Sequence, residues 1–452
     1  MIPFNRIFPA SLLACFLIIS CTQTGSEKFD LEVDKSVKPK NVVFILSDDH
    51  RFDFMGFTGK VPWLETPAMD RLAAEGAYFP NAYVTTSLCS PSRASILTGL
   101  YSHTHTVVDN QAPVPDDLTF FPQYLQQEGY STGYFGKWHM GDASDNPRPG
   151  FDHWVSFKGQ GEYYNPTLNI NGERTSYGDS TYITDLLTEL AVDWLDEQDS
   201  EQPFFMYLSH KAVHADFKPA KRHMGKYEDM EIVYPESYDT PKYGIPELPT
   251  SQYTGTPLEA EEYYGDNRMP DWVKNQRESW HGVDYMYHGK MNFEEFYKRY
   301  TEALLAVDES IASVMNALEE KGILDETLII YMGDNGFSFG EHGLIDKRHF
   351  YEESAKVPFL VRYPEVLEGG QVIEEMVQNI DVAPTILEVA GIKKPDHMHG
   401  ASILPILEGA TPDDWRKQIF YEYYWEYDFP HTPTMHGIRT DRYKYIRYHG
   451  IW

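Results

Sequence analysis

The sequence predicts an α/β chain: one large, mostly parallel sheet sandwiched by helices, with a small antiparallel sheet subdomain at its C-terminal end. Three observations carry this expectation. From Asn41 onward, short apolar runs of strand character alternate with amphipathic helical patterns, as in a parallel sheet covered on both faces. After Trp415 the pattern changes to strand-like alternation without helices between. A chain of 452 residues also suffices for one large domain plus a smaller companion, rather than a string of small modules.

Val42 to Leu46 reads as the first buried strand, Pro67 to Gly76 as a helix and Tyr78 to Val84 as a strand. Phe121 to Glu128 (helix) and Tyr130 to Trp138 (strand) follow, and Asp179 to Leu195 with Phe204 to Leu208 repeats the unit. Phe293 to Lys321 is a long amphipathic helix, because Phe296, Tyr300, Leu304, Val307, Ile311, Val314 and Leu318 recur at helical spacing and mark a core face. Leu328 to Met332 and Phe359 to Arg362 are strands, and Asp381 to Val389 a helix. These elements make a main domain of residues 41–414, and Gln418 to Trp425 with Met435 to Tyr448 supply the strands of a subdomain over 415–452. Between His214 and Lys290 the periodicity breaks down into a Pro-, Tyr- and Trp-rich stretch that includes Tyr234, Tyr238, Tyr243, Tyr253, Trp272 and Trp280. So long an irregular insertion, 215–290, is usually functional. Its aromatics suit either stacking on sugar rings or packing against the domain.

A net charge of −31 argues against nucleic-acid binding, or anionic-membrane binding, through a basic patch. A polyanionic substrate would need a locally basic pocket. Such acidity suits solubility in a salty medium, where surface charge is screened. At the N-terminus Arg6 supplies a positive flank and Leu12 to Ile19 an apolar run too short to span a bilayer, so residues 1–21 read as an export signal. Leu17-Ile18-Ile19-Ser20-Cys21 resembles a bacterial lipobox, with Cys21 the acylated residue and 22–40 a polar tether; ordinary secretion with Cys21 free is the alternative. The expected location is the periplasm or cell surface, with membrane contact only through that lipid anchor. Of the three cysteines, Cys15 lies in the signal and Cys21 at the anchor, so Cys89 has no partner for a disulfide.

The residues with chemical potential gather at predicted strand ends. Asp48 and Asp49 stand just past the first strand, and Asp334 and Asn335 just past Leu328 to Met332, where ligands bind in open α/β sheets. Either pair alone could be a turn, and Asp334-Asn335-Gly336 is a common turn tripeptide. Together they form an all-oxygen set that suits Ca²⁺, with Mg²⁺ second, and lacks the His and Cys richness of a Zn²⁺ site. Cys89-Ser90-Pro91-Ser92-Arg93 reads as a helix start, Ser90 capping, Pro91 first and Gly99 ending it, which puts Cys89 where the helix dipole favours anions. Lys137 and His139 follow a strand and point to one side of an extended segment. His210 and His214 follow another and could titrate near working pH. Lys347 lies in the segment Gly343 to Arg348, close in sequence to Asp334.

From Asn41 onward the chain resembles the formylglycine-dependent sulfatases of the alkaline-phosphatase superfamily. The resemblance rests on C-S-P-S-R at 89–93, Ser47-Asp48-Asp49-His50, Thr98-Gly99-Leu100-Tyr101, Gly136-Lys137-Trp138-His139, Gly333-Asp334-Asn335-Gly336, and Glu352-Glu353-Ser354 before Val357-Pro358. It implies that a maturation enzyme oxidises Cys89 to formylglycine (3-oxoalanine), whose hydrate is an oxygen nucleophile, and that 41–414 is the catalytic domain with a substrate-facing insertion. It places the metal ligands at Asp48, Asp49, Cys89, Asp334 and Asn335. Arg93 would hold the formylglycine, Lys137 and Lys347 the sulfate, and His139 and His214 the proton transfers, with His210 a reserve substrate-binding group. Ala215-Asp216-Phe217 stands where relatives carry a small residue, proline and phenylalanine. The family also implies a further strand and an acidic segment beyond the last residues, so the C-terminal subdomain is expected to be truncated.

The activity so implied is hydrolysis of sulfate esters of a sulfated polysaccharide or its oligosaccharides. An algal polymer of ulvan or carrageenan type is the first expectation and a glycosaminoglycan the second. A phosphomonoester or phosphonate hydrolase of the same superfamily and a non-catalytic glycan-binding lipoprotein are the alternatives.

Overall fold

The computed structural model describes residues 28–141, 144–199, 201–238, 275–277, 279, 281–283 and 292–450. Cys21 and the expected signal lie outside them, as do Tyr243, Tyr253, Trp272 and Trp280. Leu31 to Trp452 forms one compact unit. Among the described residues, no helix is long and apolar enough to cross a membrane.

The elements that build the site are β1 (Asn41–Ser47), α1 (Pro67–Glu75), α2 (Cys89–Thr98), β2 (Ser131–Gly136), α3 (Ile183–Asp196), β3 (Phe204–Ser209), α4 (Phe293–Glu320), β4 (Thr327–Gly333), β5 (Phe359–Arg362) and α5 (Val382–Val389). The main sheet has ten strands, in the order Gln371–Val372, Ala77–Tyr78, β5, β4, β1, β3, β2, His153–Ser156, Thr167–Ile170, Glu173–Ser176. The five central strands, β4 to His153–Ser156, run parallel. β5 and Thr167–Ile170 run against their neighbours while the other eight strands share one direction, so the sheet is mostly parallel, as the sequence predicts, with two reversed strands.

β1 is central because its run Val42-Val43-Phe44-Ile45-Leu46 is apolar on both faces, and all five side chains are buried. Val43 and Ile45 join a core with α1, α3 and α4, while the alternate residues face the side of α2 and α5. The register aligns Ser47 with Gly333, and Ser209 with both Leu46 and Gly136. Four strands therefore end at one level, and the residues that follow them emerge at one edge.

Proline and loop conformations account for several departures from the expected elements. Pro80 splits the expected strand Tyr78 to Val84: Ala77–Tyr78 joins the main sheet, and Ala82–Tyr83 pairs with Val377–Gln378. α3 starts at Ile183 rather than Asp179, because Asp179 and Ser180 hold positive φ of 56° and 67°. α2 begins at Cys89 with extended Leu88 as its N-cap, so Ser90 lies inside the first turn instead of capping it; Gly99, at φ 68°, ends the helix as expected. Part of the expected tether lies on the body: Val33 bridges Ile392, and Asp34 N donates to Gly391 O at 2.8 Å.

The C-terminal sheet, β6 (Gln418–Tyr423), β7 (Met435–Thr440) and β8 (Lys444–Tyr448), is antiparallel as predicted. It docks through Ile419, Tyr421, Tyr423 and Met435 on Tyr83, Leu88 and Phe350, with the Phe350 and Tyr421 rings stacked at 4.3 Å. Tyr421 OH accepts from Ser87 N at 3.1 Å, so this sheet braces the segment leading into α2.

Candidate active site

The strand ends are stitched together before any side chain is considered. Asp48 N donates to Ala212 O at 2.9 Å, Val213 N to Asp48 O at 2.7 Å, Asp334 N to Ser47 O at 2.9 Å and Lys137 N to Ser209 O at 2.8 Å. Gly136 is required at the last of these: its φ is +120°, and a Cβ there would sit 1.8 Å from Ser209 O. Asp49 turns at φ 55°, held by Tyr300, whose hydroxyl donates to Asp49 O (2.8 Å) and accepts from Arg51 N (2.9 Å). His139, Asp346 and Arg348 also hold positive φ (52°, 97° and 89°).

Into this edge α2 delivers Cys89 and, one turn on, Arg93. The guanidinium ties four strand ends together: Nε donates to Asp334 Oδ2 (2.9 Å), Nη1 to Lys137 O and Ser209 Oγ (both 2.6 Å), and Nη2 to Asp48 Oδ2 (3.2 Å). All three of its nitrogens are engaged with protein, which makes Arg93 a brace beneath the cluster rather than a group that reaches over Cys89. Lys137 pairs with Asp48 and Lys347 with Asp49, and Lys347 Nζ lies 3.3 Å from Cys89 Sγ. Asp49 N donates to Asp334 Oδ1 at 3.0 Å and Asn335 Nδ2 to Asp49 Oδ1 at 2.7 Å. The structure thus brings Asp48, Asp49, Cys89, Arg93, Lys137, Asp334, Asn335 and Lys347 into one buried constellation.

The carboxylates differ in charge preference although all are buried. Burial works against ionised Asp48, yet Lys137, His214 and Arg93 hold its carboxyl well below the usual range. For Asp49 burial prevails over Lys347 and, with Asp48 and Asp334 adding repulsion, pushes the carboxyl up to about 7. Asp334 is raised by burial and by Asp48, against Arg93. The Cys89 thiol is pushed up by burial and by Asp48, so the anion-favouring effect of a helix start does not prevail, and the unmodified side chain is a poor nucleophile.

Carboxylates crowded to this degree suit a cation. Asp48, Asp49 and Asp334 offer oxygens within 4.8 Å of one another, and Asp48, Cys89 and His214 form an overlapping group. With its Nδ2 committed, Asn335 leaves Oδ1 buried and without a hydrogen-bond partner among the described residues. A carbonyl oxygen in that state beside three carboxylates fits a hard divalent ion.

Two of the three candidate histidines face this constellation. His214 Nδ1 meets Ala215 O at 2.6 Å, which leaves Nε2, 4.0 Å from Asp49 Oδ2, directed at the cluster. His139 Nε2 lies 3.0 Å from Gln160 Nε2. Burial, with Lys137 adding repulsion, pulls both imidazoles well below their usual pKa. His210 is turned away: by strand alternation Ser209 faces Arg93 while His210 faces α4, where its Nε2 meets Ser310 Oγ at 3.0 Å. The structure assigns it a packing role, and it takes no part in the pocket.

Above the cluster opens a cavity of about 400 Å³ whose walls combine segments read from the sequence with others, Asp109 to Gln111, Gln160 and Glu426 to Phe429, that the sequence did not single out. Asp109, Asn110 and Gln111 form one side, Gln160 and Asp216 another, and His281, Asp346, Arg348 and Glu426 to Phe429 the third. Arg348 Nε donates to Glu426 Oε1 at 2.6 Å, Arg348 also pairs with Asp346, and its guanidinium lies 4.0 Å over Phe429, so the C-terminal subdomain forms part of the wall. Beside the cavity Lys211, buried with its ammonium 4.7 Å over Tyr163, is brought down to about 8 by burial and by Lys137. The expected insertion contributes Ala215, Asp216 and His281 to the walls, whereas Tyr234 and Tyr238 pack on Phe293 at the start of α4.

Comparison with known proteins agrees with this arrangement. The family model described as Sulfatase matches residues 40–392, and one described as N-sulphoglucosamine sulphohydrolase, C-terminal, matches 340–451. An N-acetylglucosamine-6-O-sulfatase of Bacteroides thetaiotaomicron is 34% identical over 97% of this chain and 82% of its own length. An ulvan-active sulfatase of Formosa agariphila is 27% identical over 98% of this chain and 79% of its own. A structure solved in complex with its substrate D-glucosamine-2-N,6-O-disulfate superimposes with a TM-score of 0.77 at 34% identity, covering 91% of this chain and 89% of that one.

Proposed function

Since the chain belongs to the sulfatase family and is a sulfate-ester hydrolase, we propose that it removes the 6-O-sulfate from a glucosamine unit of a glycosaminoglycan-derived saccharide. The observation that carries hydrolysis at this site is the convergence of Asp48, Asp49, Asp334 and Cys89 at one strand edge beneath a cavity. The glucosamine sulfatases at 34% identity support the substrate, against 27% for the ulvan-active relative. The algal expectation therefore moves to second place.

When Cys89 is oxidised to formylglycine its hydrate supplies an oxygen nucleophile, and a divalent ion, calcium by the all-oxygen donor set, supplies positive charge beside it. Asp48, Asp49, Asp334 and Asn335 hold that ion. Lys347 and Lys137, paired with acids but directed into the cluster, neutralise charge on the sulfate oxygens as the ester bond breaks. Arg93 keeps the strand ends in register, so these groups need no rearrangement. His214, with Nδ1 committed to Ala215 O, presents Nε2 as the atom that passes a proton to the departing sugar oxygen. His139 takes up the proton that frees sulfate from the enzyme. Burial, with Lys137 adding repulsion, keeps both imidazoles neutral until the substrate anion enters between them. Export and acylation at Cys21 complete the proposal, with mass spectrometry of the mature N-terminus as the check.

The test is sulfate release, followed by ion chromatography, by protein co-expressed with a maturation enzyme and confirmed by mass spectrometry to carry formylglycine at 89. N-acetylglucosamine-6-sulfate should be hydrolysed, and matched aryl phosphate, ulvan and carrageenan oligosaccharides turned over far more slowly. Release from ulvan fragments with none from the glucosamine 6-sulfate would replace this reading by the algal one.

A further inference from the structure

His214 sits on backbone that belongs to no strand or helix. β3 ends at Ser209, and the run Ala212 to Phe217 carries no proline to fix its φ angles. Upstream it is tied to the end of β1, where Val213 N donates to Asp48 O at 2.7 Å, and His214 N closes a turn on Lys211 O at 3.0 Å. Downstream it is tied by Phe217, buried against the rings of Phe296, Tyr300 and Phe337. Between these ties His214, Ala215 and Asp216 line the cavity.

Three tyrosine hydroxyls reach this segment and the residues after it. Tyr163 donates to His214 O at 2.6 Å, Tyr182 to Lys218 O at 3.0 Å and Tyr164 to Pro219 O at 2.6 Å. The tyrosines are themselves anchored at the start of α3: Tyr164 and Tyr182 form an antiparallel bridge, and Ile183 N donates to Tyr163 O at 2.9 Å. Tyr163 is buried, with the Lys211 ammonium 4.7 Å over its ring and the Tyr182 ring 6.0 Å away, inclined by 18°. Burial, with Tyr182 and Asp48 adding to it, holds its hydroxyl well above the usual phenol range, so the group stays protonated and donates.

The Tyr163 bond falls on the peptide that joins the imidazole to its own acceptor. His214 Nδ1 meets Ala215 O at 2.6 Å, and the planar His214–Ala215 peptide lies between the ring and that carbonyl. Fixing His214 O fixes the plane from which Ala215 O is aimed, and Ala215 O in turn sets where Nε2 points. Resting on the reading that His214 protonates the departing oxygen, we propose that Tyr163 is the positioning residue for that transfer: its hydroxyl, through His214 O, keeps Nε2 directed at the cluster. Because Tyr163 acts through His214 and not on the sulfate, its effect should scale with the need of the leaving group for a proton.

The experiment measures kcat/KM of the formylglycine-bearing enzyme on two esters that share the sulfate and differ in the leaving group. N-acetylglucosamine-6-sulfate loses an alkoxide that departs only with a proton, whereas 4-nitrophenyl sulfate loses a phenolate that is stable without one; the second is read under single-turnover conditions, so that slow release is measurable. Tyr163→Phe should lower the first by about 10-fold or more, in kcat rather than KM, and the second by less than about 3-fold. His214→Ala should show the same bias, enlarged. Tyr164→Phe, which removes a hydroxyl–carbonyl bond of the same kind at Pro219, should leave the ratio of the two rates within about 2-fold of the unmodified enzyme. 4-Aminophenylalanine at position 163, which keeps the ring and a weaker N–H donor, should fall between tyrosine and phenylalanine, and stands in for Tyr163→Phe if that variant does not fold. A ratio unchanged by the variants at 163 while His214→Ala shifts it overturns this inference and leaves the proton-transfer reading standing. A ratio unchanged in His214→Ala removes that reading and the inference with it. If the glucosamine ester is not hydrolysed, the sulfated saccharide that is takes its place, since the inference concerns the leaving oxygen and not the sugar.

Discussion

At the floor of the pocket Asp48, Asp49 and Asp334 are buried and locked to Lys137, Lys347 and Arg93, whereas at its rim Asp109, Asp216 and Asp428 are partly or largely exposed and weakly paired. The floor is assembled from four strand ends, so its geometry is set by sheet register; the rim comes from loops of distant chain segments. Charges in the two regions consequently do different things. In the floor each acid has cations within contact, and loss of one strands the others in a dry interior. In the rim an acid can be removed at little cost to the fold and acts chiefly through its field.

The largest expected effect follows from that contrast. Asp334→Ala leaves Arg93 with one carboxylate fewer and removes a metal donor, and it should lower kcat by about 10³-fold or more. It should also lower stability by roughly 3–5 kcal/mol, as expected for a broken buried pair. Asp428→Ala should change kcat on N-acetylglucosamine-6-sulfate by less than about 3-fold and the melting temperature by no more than the scatter of surface variants. Kinetics and calorimetry on the pair decide the matter: comparable losses would dissolve the division between floor and rim.

Removing the ion tests the floor alone. Chelation should abolish sulfate release and lower the melting temperature, with calcium restoring both; an ion at 100 times its dissociation constant stabilises by about 2.7 kcal/mol. Asn335→Leu, which replaces the unpartnered Oδ1 by carbon, should lose most of the calcium-dependent part of that stabilisation while keeping the fold. An unchanged calcium response in this variant would remove Asn335 from the donor set.

How much of this was legible in the sequence also divides between floor and rim. Asp48, Asp49, Asp334, Asn335 and Lys137 stand directly after apolar runs, so the rule that strand ends carry ligands finds them without further information. Cys89 and Arg93 are one helical turn apart, and their joint arrival at the cluster follows from that spacing. His210 misled because two histidines four apart look equivalent in sequence, yet the first, directly after β3 ends at Ser209, still continues the strand alternation toward α4, whereas the second lies past the turn that follows. Arg348 sat in a segment already noted for Lys347, but its partner Glu426 lies on the connection between β6 and β7. No local pattern announces a contact across 78 residues, and positions such as Asp109 and Asp428 acquire meaning only once the C-terminal sheet is docked.

The smallest expected effect concerns that docking, through pH. Glu352 receives Arg439 and Lys444 from the C-terminal sheet, and although burial works against its ionisation, Lys444 and Arg439 hold its carboxyl at about 2. A depressed carboxyl stabilises the fold above its unfolded value of 4.5, and that contribution is lost as pH falls toward about 2. With 32% of the side chain exposed, solvent screening reduces the contribution to roughly 1–2 kcal/mol. Asp308, raised to about 6 by burial, runs the other way: its ionisation opposes folding, so stability should grow as pH falls from about 6 toward 4. Urea midpoints should then show Glu352→Gln weaker than the unmodified chain at pH 7 and converging with it only as pH falls toward about 2, while Asp308→Asn flattens the slope between pH 6 and 4. Because Glu352 holds the sheet that carries Glu426 and Phe429, its neutral variant should also raise KM severalfold with kcat little changed. A loss confined to kcat would instead mean that the C-terminal sheet serves the floor, through the Ser87–Tyr421 contact beside α2.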